Sequence, residues 1–260
     1  MKKYLRCFAL MLALCLLCGC NSAPAETAQA TEPTQPAITT QEQAQAALDA
    51  GGRVVLDADL EVTEGLVVKD DVFDGQGHTI TGPVYDEEVV ASSCAVLVAR
   101  CTVENITVKN CYRAIGSNKE NRCTGDIRIN NVIADGENCA LYIGQADNTG
   151  SVIVKDSAFG GQTVFNKVKE ASFTNCTFTF NESGSKGNMT AYTDAVLVGC
   201  RFENKEDGTK YALLYPSSVE GCTMILEDCY VGDTLITKDN LKTLLKVSPR
   251  NNTIEVRNTV

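Results

Sequence analysis

One short phrase recurs along this chain and limits what it can fold into. Six-residue windows beginning at 66, 106, 127, 152, 171, 195, 224 and 254 read LVVKDD, ITVKNC, IRINNV, VIVKDS, ASFTNC, AVLVGC, MILEDC and IEVRNT. First and third positions are mostly apolar, and second and fourth are more often polar. That period of two marks a strand with one buried face. The fifth position is Asp70, Asn110, Asn131, Asp156, Asn175, Gly199, Asp228 or Asn258. These are the residue types that best tolerate a left-handed backbone, so each strand is predicted to end at a sharp bend. The sixth position holds Asp71, Cys111, Val132, Ser157, Cys176, Cys200, Cys229 or Thr259. Most are small, as suits a side chain turned back into a narrow interior.

The bends lie 19 to 40 residues apart, and the 40-residue gap between Asp70 and Asn110 is about two repeats long, so one copy there has drifted. A second apolar strand follows several bends: ALYIG at 140–144, TVF at 163–165, YALLY at 211–215 and TLI at 234–236. A single copy cannot bury its own apolar face, whereas stacked copies bury a continuous core. Strands recurring once per coil then run parallel, about 4.8 Å apart. Equivalent residues pile into ladders: Asn and Asp at the bend, Cys just inside it, and Phe159, Phe178 and Phe202 as an aromatic column in the core. The predicted fold is all-β, a single-stranded right-handed parallel β-helix with short capping helices. The stretch TTQEQAQAALDAGG at 39–52 supplies one cap, with Thr40 as N-cap, Glu42 and Gln43 in the first turn and Gly51 as the stop. KDNLKTLLKV at 238–247 sets Leu241, Leu244 and Leu245 on one helical face. Because IEVRNT follows it, this second helix is expected to interrupt the last coil rather than end it.

The strand-Asn-Cys/Ser units, together with the opening GGRVVLDADLEV and DGQGHTITG between Gly51 and Gly82, resemble the pectate-lyase-like superfamily of right-handed parallel β-helices. The resemblance covers roughly residues 40 to 260. It implies the fold but no single activity, since that superfamily holds lyases, hydrolases, adhesins and inert spikes alike.

The N-terminus reads differently. MKKYLR is a basic n-region, and CFALMLALCLLC at 7–18 is an apolar run too short to span a bilayer comfortably. It ends in Leu17-Cys18-Gly19-Cys20, which resembles the lipobox of bacterial lipoproteins. That resemblance implies a signal peptide over 1–19 and Cys20 as the mature first residue, carrying a lipid on its sulfur. The protein would then sit on the extracellular face of a bacterial membrane. Residues 20–38, rich in Ala, Thr, Pro, Gln and Glu, bury too little surface to offset their ordering entropy and read as a tether. The β-helix domain is expected over 39–260.

The search for chemistry returns little. Asp and Glu number 33 against 23 Lys and Arg, with no basic stripe, so nucleic acid is not an expected partner. There is no Trp and one His. Nine cysteines from Cys94 to Cys229 contain no C-x-x-C pair, and they read as small buried hydrophobes. A bridge between Cys176 and Cys200 in adjacent coils stays open. His78 has Asp74 four residues away but no nucleophile in its own segment, and without a second histidine no multi-histidine metal site is possible. Candidate acids are Asp70, Asp71 and Asp74 in KDDVFDG, and Asp86, Glu87 and Glu88 in YDEE, each with a plain reading as bend or surface residue. No motif implies a metal or cofactor. The chain is therefore expected to be a non-catalytic, lipid-anchored surface protein. Its long parallel face would hold a glycan or a partner protein. A polysaccharide lyase or glycoside hydrolase is the alternative.

Overall fold

Strand registers turn the repeat into geometry. The computed structural model describes residues 36–83, 94–144, 148–180 and 188–259. It is 49% strand, wound into a β-solenoid of about seven turns with parallel pairing. Ala37–Val260 forms one compact unit. Three strands make each turn. On the first face, Phe73, Val103, Ile129, Val154, Phe173, Leu197, Leu226 and Val256 pair in one inward column. On the second face the column is Leu60, Ile80, Val108, Ala134, Phe159, Phe178, Phe202 and Val231. On the third it is Leu66, Val96, Ile115, Leu141, Thr163, Met189, Leu213 and Val247. Nearly all are fully buried. Alternation within each strand thus supplies a core three columns wide, and no single turn closes it alone.

The aromatic column forms as expected. Phe159 stacks on Phe178 at a ring-centroid distance of 5.6 Å and an interplanar angle of 16°, and Phe178 stacks on Phe202 at 5.5 Å and 20°. Phe173 meets Phe178 edge-on from the first face, so two of the three columns interlock there.

The bend ladder also forms, with two members reassigned. The windows from 127 to 254 share one register throughout. Asn131, Asp156, Asn175, Gly199 and Asp228 have φ of 52°, 50°, 54°, 61° and 48°, each at the end of a first-face strand. Asp70 and Asn110 are left-handed too, at 64° and 51°, but they turn other corners. Asp70 leads from the third face to the first, its N–H donating to the Arg100 carbonyl, and Asn110 leads out of the second. The column's own earlier member is Asn105, φ 53°, within CTVENI at 101–106. This is the drifted copy that the long gap implied. All three corners follow the same alternation, so the local pattern does not say which corner a residue turns. Asn258 is not left-handed; its Nδ2 donates to the Ile236 carbonyl.

Side chains tie the ladder along the coil axis. Asn105 Nδ2 donates to Asp74 Oδ1 at 3.0 Å, Asn131 Nδ2 to Asn105 Oδ1 at 2.9 Å, and Asn175 Nδ2 to Asp156 Oδ1 at 3.1 Å. At Gly199 an added Cβ would lie 2.9 Å from Asn175 Oδ1, so close approach as well as positive φ selects glycine there. Just inside the bend, Ile106, Val132, Ser157, Cys176, Cys200 and Cys229 form the small-residue column. Cys200 Sγ donates to the Phe173 carbonyl and Cys229 Sγ to the Leu197 carbonyl. Hydrogen bonds shared with Cys176 and Cys229, and then burial, push the Cys200 thiol far up. All nine cysteines of the solenoid are free thiols.

The helix Gln41–Ala50 covers the first coil. Thr40 Oγ1 accepts from the Gln43 N–H while Gln43 Oε1 accepts from the Thr40 N–H, a reciprocal capping box, and Gly51 ends it at φ 83°. Its Ala44 and Leu48 are buried with Ile38, at the end of the stretch read as tether. At the other end, only Leu241–Leu244 is helical, and Lys246–Ser248 returns to the third face beside 212–214. The helix therefore interrupts the last coil. TLI is not a coil strand: Thr234–Leu235 pairs antiparallel with Tyr230–Val231 around left-handed Gly232, a hairpin that the turn residues Gly232-Asp233 favour.

Asn131 separates the two demands of the bend. Asn131→Gly keeps the backbone and loses the Asn105 bond, and should cost about 1 kcal/mol. Asn131→Ala adds the left-handed penalty and should cost about 1–2 kcal/mol more. The midpoints of urea denaturation check the order wild type, Gly, Ala.

Candidate functional site

Outward positions of the third face define the main cleft. Gly116, Tyr142, Val164, Thr190, Leu214 and Ser248 occupy one outward register through six coils. Two adjoining hollows lie over them. One, about 220 Å³, is lined by Arg113, Cys139, Tyr142, Gln162, Asn166, Thr190 and Tyr192 among others. The other, about 480 Å³, is lined by Thr190, Tyr192, Leu214, Pro216, Ser217, Lys246, Ser248 and Arg250 among others. Thr190 and Tyr192 belong to both, so the hollows adjoin along the coil axis as one trough with buried Thr190 between its two halves. Six coils at about 4.8 Å set its two ends about 24 Å apart.

Its chemistry is mixed. The Arg113 guanidinium lies 4.1 Å from the Tyr142 ring centroid, an aromatic platform with a cation above it. Among the described residues buried Arg113 Nε and buried Asn166 Oδ1 have no hydrogen-bond partner, while Asn166 Nδ2 donates to the Gly144 carbonyl. A buried donor and acceptor without a partner each cost free energy, and both atoms lie beneath the surface of the hollow, so a ligand meets them only if these side chains turn. Burial pushes the Cys139 thiol up to about 11, although Arg113 pulls it back. It is a wall, not a nucleophile. Lys246 and Arg250 place positive charge at the far end of a trough on a chain of net charge −10. Among the described residues lining both hollows, none is Asp or Glu.

The acids and the histidine named from sequence are placed elsewhere. Asp70 is ion-paired with Arg100. Asp71 is buried and accepts the Gly52 N–H at 2.6 Å. Asp74 and Glu104 lie in adjacent coils of the first face, both bridged by Arg53, at 2.5 and 2.9 Å. A glycosidase pair needs one carboxyl to give a proton and one to take it or attack. Here a permanently charged guanidinium occupies both. Burial alone would raise the Asp74 carboxyl, but hydrogen bonds from the Gln76 N–H, Asn105 and Arg53 outweigh it and hold it below the usual carboxylate range. His78 Nδ1 lies 3.2 Å from Asp59 Oδ1, not beside Asp74. Cys20, Asp86, Glu87 and Glu88 lie outside the described residues. Among the described residues no group of three or more His, Cys, Asp or Glu is arranged to hold a metal.

The trough residues carry little signal in the sequence. Tyr142 lies within ALYIG at 140–144, which reads as a strand and nothing more. Its outward direction follows from alternation once Leu141 is known to point inward. Arg113 and Lys246 carry no local signal, because they meet the trough only through the winding of the chain.

Asp74 supplies an acid-sensitive contact. Its folded value is depressed, so its contribution is present above about pH 4, the unfolded carboxylate value, and is lost as pH falls through the folded one. Asp74→Asn should flatten that part of the stability curve below about pH 4, measured by urea denaturation at each pH. No protein-family model matches this chain, and neither a curated protein nor a solved structure is significantly similar to it.

Proposed function

We propose that this chain is a lipid-anchored bacterial surface protein of the pectate-lyase-like superfamily that binds an extended glycan along the third face without cleaving it. The observation that supports this most is the 24 Å trough, at about 4.8 Å per coil. It combines the Tyr192 ring with the Arg113 guanidinium stacked on Tyr142 and with the amide of Asn166. Tyrosine rings take the apolar faces of sugars, amide and guanidinium groups take their hydroxyls, and Lys246 and Arg250 favour acidic substituents. The lack of Asp or Glu among the described lining residues favours binding over hydrolysis. Anchoring rests on Leu17-Cys18-Gly19-Cys20 and the tether behind it.

Isothermal titration of the purified full chain with neutral and acidic polysaccharides tests the reading. Tyr192→Ala and Arg113→Met should each weaken binding about 5- to 30-fold, the loss of about 1–2 kcal/mol of contact, with the far-UV circular dichroism of the folded chain retained. The same mixtures, with and without calcium, should release no reducing ends and no unsaturated uronate absorbance. Either product would overturn the non-catalytic reading in favour of a lyase or hydrolase. Metabolic labelling with a radioactive fatty acid should mark the wild-type chain in a bacterial host and leave Cys20→Ala unlabelled.

A further inference from the structure

The first face, on another side of the solenoid from the trough, carries an ordered outer surface. Two outward columns run along it. Arg128, Ile153, Ser172, Val196, Ile225 and Glu255 form one, in successive coils. Lys155, Thr174, Val198 and Glu227 belong to the other, in the same four central coils. The middle of this surface is a flat set of β-branched and small side chains, half-exposed. Its flanks differ in sign: Arg128 and Lys155 lie toward the N-terminal coils with neutral Asn130, and Glu227 and Glu255 toward the C-terminal ones, where Arg257 in the Glu227 column offsets part of the negative charge.

We infer that this face is an interface between two copies of the chain, packed face to face with their coil axes antiparallel. The symmetry decides the arrangement. A two-fold axis along the strand direction, between the coils of Thr174 and Val198, keeps each column opposite itself and reverses the order of coils. Ile153 then meets the second copy's Ile225, Ser172 and Thr174 meet Val196 and Val198, and Lys155 meets Glu227. Arg128 and Glu255 face each other one coil further out. The other face-to-face arrangement, with the axis along the coils, sets Ile153 against Lys155 and Ile225 against Glu227, which strips water from charges against aliphatic carbons. Only the antiparallel one satisfies every column at once.

The outer pair contributes less than the inner one. Arg128 is already held by Asp126 at 2.8 Å and Glu255 by Arg257 at 2.8 Å within one chain. The Lys155–Glu227 contact, made twice by symmetry, is therefore the one that sets the register. The surface spans six coils, about 24 Å at 4.8 Å per coil. Two columns about 7 Å apart over that length cover on the order of 400 Å² per copy, below the standard interface of about 800 Å² per partner, which fits a weak dimer in the micromolar range.

Sedimentation velocity on the purified full chain, from about 1 to 200 µM, tests this. Wild type should show a concentration-dependent monomer–dimer equilibrium. Lys155→Glu and Glu227→Lys should each weaken it at least about tenfold, since either change puts like charges together at both contacts. An equimolar mixture of the two variants should regain dimer, because every contact across the two-fold is then Glu against Lys. Both variants should keep the wild-type far-UV circular dichroism and melting temperature, which separates loss of association from loss of fold. A chain that stays monomeric throughout, single variants that associate like wild type, or a mixture that fails to recover would each overturn the proposal. Binding of polysaccharide to the trough is measured separately and does not bear on this result.

Discussion

Everything in this fold depends on a left-handed residue recurring at the same point of each coil. An L-residue pays about 1–2 kcal/mol to adopt that backbone, and Asn, Asp and Gly pay least. Placed at Asn105, Asn131, Asp156, Asn175, Gly199 and Asp228, the bend turns the chain by the same amount each time. Successive first-face strands then fall into one register, and their backbone groups find parallel partners. The hydrogen bonds donated by the Asn131 amide to Asn105 and by the Asn175 amide to Asp156 make the bend cooperative, since each side chain that satisfies itself also fixes the corner beside it. The column inside the corner follows from the same geometry: Ile106, Val132, Ser157, Cys176, Cys200 and Cys229 are all turned back into the interior there and buried.

Both surfaces of functional interest are by-products of that register. Alternation sends Leu141 inward and Tyr142 outward, and stacking repeats the pair in every coil. A trough on one face and a flat β-branched surface on another then arise from strands alone. Strand positions are more rigid than loop positions, so the spacing between Arg113, Tyr142, Thr190 and Ser248 is set by the pitch of the solenoid. A ligand with its own repeat meets groups presented at fixed intervals. It need not order them on binding, which lowers the entropic cost.

Much of the fold was legible because a ladder writes itself into the sequence several times over. Six windows with one register, the phenylalanine column and the Thr40 cap were all readable from periodicity and residue type. The failures share a cause. Asp70 and Asn110 have the right local chemistry and the wrong corner, because three faces with one alternation differ only in how far along the coil they fall. The segment 234–236 looked like a coil strand, but the tight turn at Gly232 returns it antiparallel to its neighbour. The trough was not legible at all. Its members come from coils up to 137 positions apart, Arg113 to Arg250, and only the winding number of each brings them to one side.

The cysteine, serine and aliphatic exchange within the inner corner column has a consequence for how such a chain changes length. Each coil presents to the next a backbone edge in the same register, and Val132, Ser157 and Cys176 occupy one slot despite their different volumes. An added or deleted coil between Asn131 and Gly199 would find its strand partners above and below, with repacking concentrated at the Phe159, Phe178 and Phe202 column. The trough would lengthen or shorten by one strand spacing. Reach toward a polymer is thus a quantity that gene duplication can tune in discrete steps, without redesign of the chemistry at either end.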